Sequence, residues 1–275
     1  MLPRHDLDLI QRVHPIVGAI TDPWFRAEVH HLERVPDRPT LLIGNHDGAN
    51  LPVDGICFGV AWYRHFKTER PLRILMHAVP FQLSRRLRDF LHGMGCVSAT
   101  SVNFESAAER GETVLLYPGA AREAFRTYRN RRNIDLGGRT GFVVRALRWG
   151  LPITPVASVG AHETMFILAR GQKLARWLGI DKRFHADVWP LIAGFPFGLW
   201  FNPLIPHLPL PAKITIEVQP TIDLTSVLSE QFGRRIGPKD AGDRSVVQAG
   251  FELVRNAVQV GVERLYARRK WPIIG

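Results

Sequence analysis

The stretch that decides the fold is Leu41-Leu42-Ile43-Gly44-Asn45-His46-Asp47-Gly48-Ala49-Asn50-Leu51-Pro52-Val53-Asp54-Gly55. Its apolar start predicts a short buried strand, and the polar, glycine-bearing residues that follow predict a loop at the end of that strand. In open α/β sheets, ligands bind where strands end in such loops. Because a histidine side chain ordinarily titrates near neutral pH, His46 is a residue that can take a proton from a hydroxyl and return it. The sequence predicts a site around His46, against the alternative of a surface histidine among the 11 of this chain.

Strand and helix patterns alternate along the rest of the chain. Strands are predicted at residues 41–43, 72–76, 113–117, 153–159 and 213–218, and helices at residues 7–20, 52–66, 83–91, 104–110 and 141–149. Residues 24–29 predict a strand or a linker. A core-facing C-terminal helix is predicted because apolar residues recur there every three or four positions: Val247, Phe251, Val254, Val258, Val262 and Leu265.

This alternation indicates an α/β fold with a mostly parallel central sheet flanked by helices. We expect a short N-terminal helical segment over residues 1–23 and one domain over residues 24–275. A chain of 275 residues can bury a full α/β core. Its two cysteines are too few for a disulfide framework, so we expect a reducing, cytoplasmic location. No apolar segment follows the basic residues at the N-terminus, and a signal peptide is therefore not expected.

The charge of the chain favours a polyanionic partner. Lys and Arg number 36 against 25 Asp and Glu, a net charge of +11, which suits nucleic acid or an anionic membrane surface. Zinc-finger spacing, aromatic-basic ribonucleoprotein motifs and basic-zipper heptads are missing, so nucleic acid is not expected. No run reaches the roughly 18 to 20 apolar residues of a spanning helix. Residues 188–210, with Trp200 and Phe201, predict either an interfacial membrane contact or a buried loop over one end of the core.

Three blocks of sequence carry a family resemblance. They are the Asn45-His46 loop with Asp54 downstream, Tyr117-Pro118-Gly119-Ala120-Ala121-Arg122-Glu123, and Leu151-Pro152-Ile153-Thr154-Pro155-Val156. In order and spacing they resemble the glycerolipid acyltransferases, the lysophosphatidate (PlsC-type) superfamily. The nearest likeness is to its diacylglycerol acyltransferase-like branch, where the second block contains Pro-Gly-Gly-Ala-Arg-Glu. The likeness runs from about Trp24 to the C-terminus.

The resemblance implies a membrane-surface enzyme that esterifies a glycerolipid hydroxyl, with acyl-CoA or an acyl carrier protein as the donor. Acyl transfer needs a base for the hydroxyl and an orienting group for that base. His46 is the predicted base, and no metal or other cofactor is expected. The family carries its carboxylate five residues after the histidine, where this chain has Leu51. The alternatives are Asp47 and Asp54, and Asp54 is favoured because adjacent side chains tend to point apart.

The second block predicts substrate contacts. Gly119 allows close approach of the backbone to an oxyanion or phosphate, and Arg122 has the donor fork that fits a phosphate or carboxylate. Glu123 is predicted to orient Arg122 or to position the acceptor, and Arg139 and Thr140 are predicted to add a polar wall. Exposed or helix-end roles are the alternatives for these residues.

Two further functions remain open from the sequence. One is a lipid or thioester hydrolase, although no Gly-x-Ser-x-Gly elbow is present. The other is a non-catalytic lipid-binding or membrane-remodelling protein on the same scaffold. His162 beside Glu163 forms a tempting second dyad, which we interpret as loop structure near the edge of the sheet.

Overall fold

The central sheet is built around the strand that precedes His46. The computed structural model describes residues 2–46, 48, 51–179, 188–201 and 208–271. Within these residues the strands of this sheet are β1 (Glu28–His30), β2 (Leu41–Gly44), β3 (Leu72–Met76), β4 (Cys96–Ser98), β5 (Thr113–Leu116), β6 (Ile153–Val159) and β10 (Thr215–Val218). Their order is β1-β10-β6-β2-β5-β3-β4. A smaller antiparallel sheet contains β7 (Phe166–Ala169), β8 (Leu191–Gly194) and β9 (Gly198–Trp200).

The predicted α/β fold with a mostly parallel sheet is confirmed. Strands β6, β2, β5, β3 and β4 are parallel to one another, so their carboxyl ends lie along one edge. Strand β10 is antiparallel to β6 and parallel to β1. The helices are α1 (Leu7–Phe25), α2 (Val53–Phe66), α3 (Pro80–Leu83), α4 (Arg85–Gly93), α5 (Ser101–Glu109), α6 (Ala120–Ala124), α7 (Gly141–Trp149), α8 (Gln172–Trp177), α9 (Leu224–Phe232) and α10 (Arg244–Arg268).

Successive side chains of β2 pack into two different cores. Leu41 and Ile43 belong to the cluster that contains α7 and α10, whereas Leu42 belongs to the cluster that contains α1 and α2. This alternation follows from the two-residue repeat of a strand. The predicted core stripe of α10 is confirmed, because all six of its residues are buried. Helices therefore cover both faces of β2, and a binding site can form at the carboxyl end of this strand.

Several predicted bounds were wrong. Helix α1 continues through Pro23 to Phe25, beyond the predicted end at residue 20. The single basic helix predicted over residues 83–91 is two helices, because Ser84 is extended and its hydroxyl accepts the N–H of Leu87 at 3.1 Å, which starts α4. Residues 188–201 contain β8 and β9 rather than a loop, and residues 202–207 lie outside the described residues. Among the helices described, none is long and apolar enough to cross a membrane.

The N-terminal segment is tied to the sheet through a buried histidine. The Nε2 atom of His5 lies 3.1 Å from the carbonyl oxygen of Leu72, and its Nδ1 atom lies 3.1 Å from a guanidinium nitrogen of Arg73. Because a carbonyl only accepts and a guanidinium only donates, the ring is neutral with its proton on Nε2. Burial, reinforced by the charge of Arg73, lowers the pKa of His5 below 6.5. Arg73 is itself fully buried and paired with Glu112 at 2.7 Å.

We expect the neutral His5 to make the fold less stable in mild acid. Its folded-state pKa is lowered, so the unfolded chain binds this proton first and stability falls as the pH drops below about 6.5. Urea unfolding at pH 7.5 and pH 5.5 should show a loss of up to about 1 kcal/mol from this group. His5→Gln keeps a donor and an acceptor but does not titrate, and should remove that part of the loss. An equal pH dependence in both proteins would contradict the assignment.

Candidate active site

The loop after β2 is held in place by an asparagine side chain. Asn45 is fully buried, and its amide accepts the N–H of Ser158 at 2.8 Å and donates to the carbonyl of Ser158 at 2.9 Å. These two bonds extend the β2–β6 ladder by one position with a side chain in place of backbone. The next residue, His46, therefore leaves the sheet at its carboxyl edge in a defined direction.

His46 and Asp54 form a pair at this edge. The Nδ1 atom of His46 lies 3.3 Å from an Oδ atom of Asp54, on the first turn of α2. The side chain of Asp54 is 1% exposed and that of His46 is 16% exposed. The other Asp54 oxygen accepts the N–H of Gly55 at 2.8 Å. A carboxylate on Nδ1 fixes the tautomer in which Nε2 is the basic nitrogen.

Asp54 and Asp47 are the two carboxylates that the sequence offered as partners of His46. Asp54, which the sequence favoured, contacts His46. Asp47 lies outside the described residues. Leu51, at the position where the family carries its carboxylate, is 37% exposed.

Tyr117 covers one side of the His46 ring. The two ring centroids are 5.1 Å apart. This packing requires Gly44, because a Cβ atom there would come within 2.6 Å of the Tyr117 ring. Although Tyr117 lies in the second sequence block, it was not among the predicted site residues. Its position directly after β5, a buried strand that neighbours β2, could have identified Tyr117 as a site residue.

Glu123 is a structural centre of the site. It is fully buried, and one carboxylate oxygen accepts the backbone N–H of His46 at 2.9 Å. The other oxygen accepts from Arg126 at 2.7 Å and from the backbone N–H of Asp135 at 3.0 Å. The structure thus joins Glu123 to the histidine loop and not to Arg122. Its predicted role with the acceptor stays a prediction.

Gly119 makes the position of Glu123 possible. A Cβ atom on Gly119 would overlap the Cβ and a carboxylate oxygen of Glu123 and the backbone carbonyl of Asp135. The following residue, Ala120, has a φ of 46°, in the left-handed region that favours glycine. The second block is thus a tight turn between β5 and α6.

The predicted cations lie beside this turn. Arg122 donates from Nε to Asp135 at 3.0 Å, and Asp135 also contacts Arg170 at 3.4 Å. Burial alone raises the pKa of Asp135, but the bonds from Arg122 and the backbone and the charge of Arg170 hold it below its ordinary value. Arg139 donates to the carbonyl of Pro118 at 2.7 Å. Thr140 directly precedes α7, and its hydroxyl makes no capping bond.

His162 and Glu163 are both buried, in the turn that follows β6. A guanidinium nitrogen of Arg126 lies 3.2 Å from Nε2 of His162, so this histidine adjoins the Glu123 cluster. Glu163 lies between Arg131 at 3.8 Å and Arg269 at 3.9 Å. Neither Arg126 nor Asp135 was predicted as a site residue. The spacing of Arg126 from Glu123 is common in helices, and its contact with His162 and the contact of Asp135 with Arg122 join residues 36 and 13 apart.

Comparison with known proteins identifies one matching family. The sequence model described as diacylglycerol acyltransferase matches residues 17–226. An uncharacterised protein of Mycobacterium tuberculosis is 30% identical over 262 residues, which cover 94% of this chain and 66% of that protein. This chain therefore spans slightly less than two thirds of the length of that relative.

A mammalian relative and a solved structure were also found. A Bos taurus protein named "DGAT1/2-independent enzyme synthesizing storage lipids" is 28% identical over 256 residues, covering 88% of this chain and 68% of that protein. The crystal structure of the 1-acyl-sn-glycerophosphate (LPA) acyltransferase PlsC from Thermotoga maritima superposes with a TM-score of 0.54. That match covers 95% of this chain and 81% of the other at 15% identity, so it concerns the fold.

We expect Gly119→Ala to damage both stability and the site. Its Cβ would push against Glu123 and the Asp135 backbone, and overpacking of this kind costs about 1–3 kcal/mol. Urea unfolding measures the loss. Gly59→Ala, inside α2 with open space around its Cβ position, should instead be neutral or stabilising by up to about 1 kcal/mol. Equal effects of the two substitutions would show that the contact with Glu123 is unimportant.

Proposed function

The chain belongs to the diacylglycerol acyltransferase family and has an α/β fold shared with a glycerolipid acyltransferase, and on that premise we propose that it transfers an acyl group from a thioester to a glycerolipid hydroxyl. His46 is the general base in this proposal, and Asp54 orients it. The donor is acyl-CoA or an acyl carrier protein. No other cofactor takes part in the proposed reaction.

The observation that carries the proposal is the His46–Asp54 pair at the carboxyl edge of the sheet. Nε2 of His46 accepts the proton of the acceptor hydroxyl while the hydroxyl oxygen attacks the thioester carbonyl. The tetrahedral intermediate then collapses, the C–S bond breaks, and the proton on His46 passes to the leaving thiolate. Buried Asp54 stabilises the imidazolium between these two steps, because a carboxylate on Nδ1 interacts more strongly with the charged ring.

The oxyanion of this intermediate needs hydrogen-bond donors. We propose that backbone N–H groups of the turn at Gly119 supply them. Gly119 packs against Glu123, and Glu123 binds the backbone N–H of His46, so the turn lies beside the His46 loop. Arg139 and Thr140 are proposed to line the same edge.

We propose an acceptor without a charged group beside its reactive hydroxyl, such as a monoacyl- or diacylglycerol. Family members that use phosphorylated acceptors usually carry an arginine in the block before β5, and the matching residues 98–103 contain no cation. Arg145 of α7 donates to the hydroxyl of Ser101 in this block. Arg122, the cation of the second sequence block, is partly neutralised by Asp135. The name of the bovine relative, which refers to storage lipids, agrees with an uncharged acceptor.

The acceptor is water-insoluble, so the proposed enzyme works at a membrane surface. The net charge of +11 supports peripheral attachment to anionic lipid. Such attachment lets the acceptor reach His46 without crossing water.

We expect His46→Ala to abolish acyl transfer while the protein stays folded. Loss of a general base costs about 10² to 10⁴ in rate. Asp54→Asn should also impair turnover, and by more than Asp47→Asn. The measurement is product analysis with radiolabelled acyl-CoA and a lipid extract, with circular dichroism to check folding. Ester product supports the proposal, whereas free fatty acid alone indicates a hydrolase and no product indicates a binding protein. Activity of His46→Ala within threefold of wild type would rule out the base.

We expect higher kcat/KM on monoacylglycerol and diacylglycerol than on lysophosphatidate. A phosphomonoester carries about two negative charges and needs cations, and Arg122 of this edge is already paired with Asp135. Arg122→Ala should therefore change the uncharged acceptors by less than threefold. A clear preference for lysophosphatidate that disappears in Arg122→Ala would overturn the assignment of the acceptor.

A further inference from the structure

Exposed apolar side chains form a stripe along α1. Ile16 is 62% exposed, Ile20 is 66% exposed, and Trp24 is 38% exposed. Residues four apart lie on one face of a helix, so these three side chains point the same way. The opposite side of α1 is buried, through Ile10 and Phe25. The described residues leave most of the surface of Ile16 and Ile20 exposed.

A second group of exposed apolar side chains lies on the β8–β9 hairpin. Phe195, Phe197, Leu199 and Phe201 are each at least half exposed. Trp200 is different, because it is 7% exposed and packs inside the small sheet opposite Ile192. Of the two alternatives predicted for this segment, Trp200 follows the buried one, whereas Phe201 lies at the surface.

Two hydrogen bonds join the stripe to the hairpin. Nε1 of Trp24 donates to the carbonyl of Pro209 at 2.8 Å. The neighbouring residue Leu208, itself 50% exposed, donates its N–H to the carbonyl of Phe195 at 3.3 Å. The two groups and Leu208 are therefore contiguous, and we call them the apolar face: Ile16, Ile20, Trp24, Phe195, Phe197, Leu199, Phe201 and Leu208. Monomeric proteins rarely expose an apolar surface of this extent unless it binds something.

The apolar face borders the His46 edge. Leu210 donates its N–H to the carbonyl of Thr164 at 2.9 Å, and Thr164 ends the turn that follows β6. Ala161 in the same turn lies under the His46 loop, since a Cβ atom on Gly48 would be 3.2 Å from the Cβ of Ala161. A molecule seated on the apolar face would thus be adjacent to the entrance of the proposed site.

Basic residues flank the hairpin. Phe166, Ala193 and Leu199 are paired across the small sheet and so share one side of it. Tyr128 packs edge-on against Phe166 with ring centroids 5.0 Å apart, and the guanidinium of Arg131 lies 4.0 Å from the centre of the Tyr128 ring. Arg129 and Arg132, next along the chain, are exposed. An apolar surface with aromatic side chains and a basic margin matches the interface of an anionic bilayer.

We propose that the apolar face docks on an anionic lipid bilayer, with α1 and the β8–β9 hairpin entering the interface together. This inference rests on the proposed function, because it supplies the lipid acceptor to that site. A second copy of the chain fits the surface less well, because pairing two such faces would bring their basic margins together. Docking by two elements that are bonded to each other fixes the orientation of the His46 edge relative to the membrane.

The test is vesicle flotation with 70:30 phosphatidylcholine:phosphatidylglycerol. Phe197→Ser/Leu199→Ser/Phe201→Ser should lower the partition coefficient at least tenfold, and the remaining binding should fall as salt rises. The matched control is Val227→Ser/Val260→Ser, which makes the same kind of change at exposed positions of α9 and α10 and should bind within twofold of wild type. Circular dichroism and thermal unfolding verify that both variants fold.

A second measurement needs no disruptive variant. Cys57 and Cys96 are buried, so a thiol-reactive, environment-sensitive fluorophore labels Leu199→Cys or Val260→Cys selectively. We expect a blue shift on vesicle addition at Leu199→Cys and none at Val260→Cys. The triple Ser variant should lose activity on vesicle-borne diacylglycerol but keep it on a short-chain, water-soluble monoacylglycerol. If the wild type lacks activity on every acceptor, flotation still tests the face.

Three results would overturn the proposal. The first is vesicle binding by the triple Ser variant that equals wild type. The second is an identical fluorescence response at positions 199 and 260. The third is a wild-type dimer that the triple Ser variant abolishes and that does not float with vesicles, which would assign the apolar face to a second copy.

Discussion

The site depends on one buried carboxylate. Glu123 accepts the N–H of His46 with one oxygen and binds Arg126 and the Asp135 backbone with the other. The His46 loop, helix α6 and the backbone at Asp135 thereby share a single buried carboxylate. Removing one member of such a buried pair typically costs 3–5 kcal/mol, because the remaining charge stays in a poor solvent. The position of His46 is thus coupled to the packing of the turn after β5.

The buried ions extend from this carboxylate toward the end of α10. Arg126 leads from Glu123 to His162, and the adjacent Glu163 lies between Arg131 and Arg269. The residue that follows the last described helix therefore contributes to the buried ions behind the His46 loop. Part of the arginine content of this chain therefore lies inside the molecule, beside the buried carboxylates of Glu123 and Glu163.

Sequence patterns predicted the local parts of this structure and missed the distant ones. His46 and Asp54 could be associated because they are only eight residues apart, with just a loop and the start of a helix between them. Tyr117 and Arg126 could not, because their contacts depend on how remote segments pack. Strand β4 was missed, and residues 24–29, which overlap β1, were predicted only as a strand or a linker, since three residues are too few for a periodic signal. The direction of β10 could not be predicted either, because a two-residue repeat reads the same in both directions.

The pairing of β1 with β10 has a consequence for how the molecule is made. Trp24 and its partner Pro209 are 185 residues apart, and β1 next to it pairs with β10 at a similar separation. Strands β2 to β6 come from one continuous stretch, so the parallel part of the sheet assembles from contacts closer along the chain. We expect the edge formed by β1 and β10 to close late in folding, since contacts of high sequence separation are slow to form. Until the final third of the chain has left the ribosome, α1 has no β10 beside it, and its apolar residues are available to chaperones or lipid.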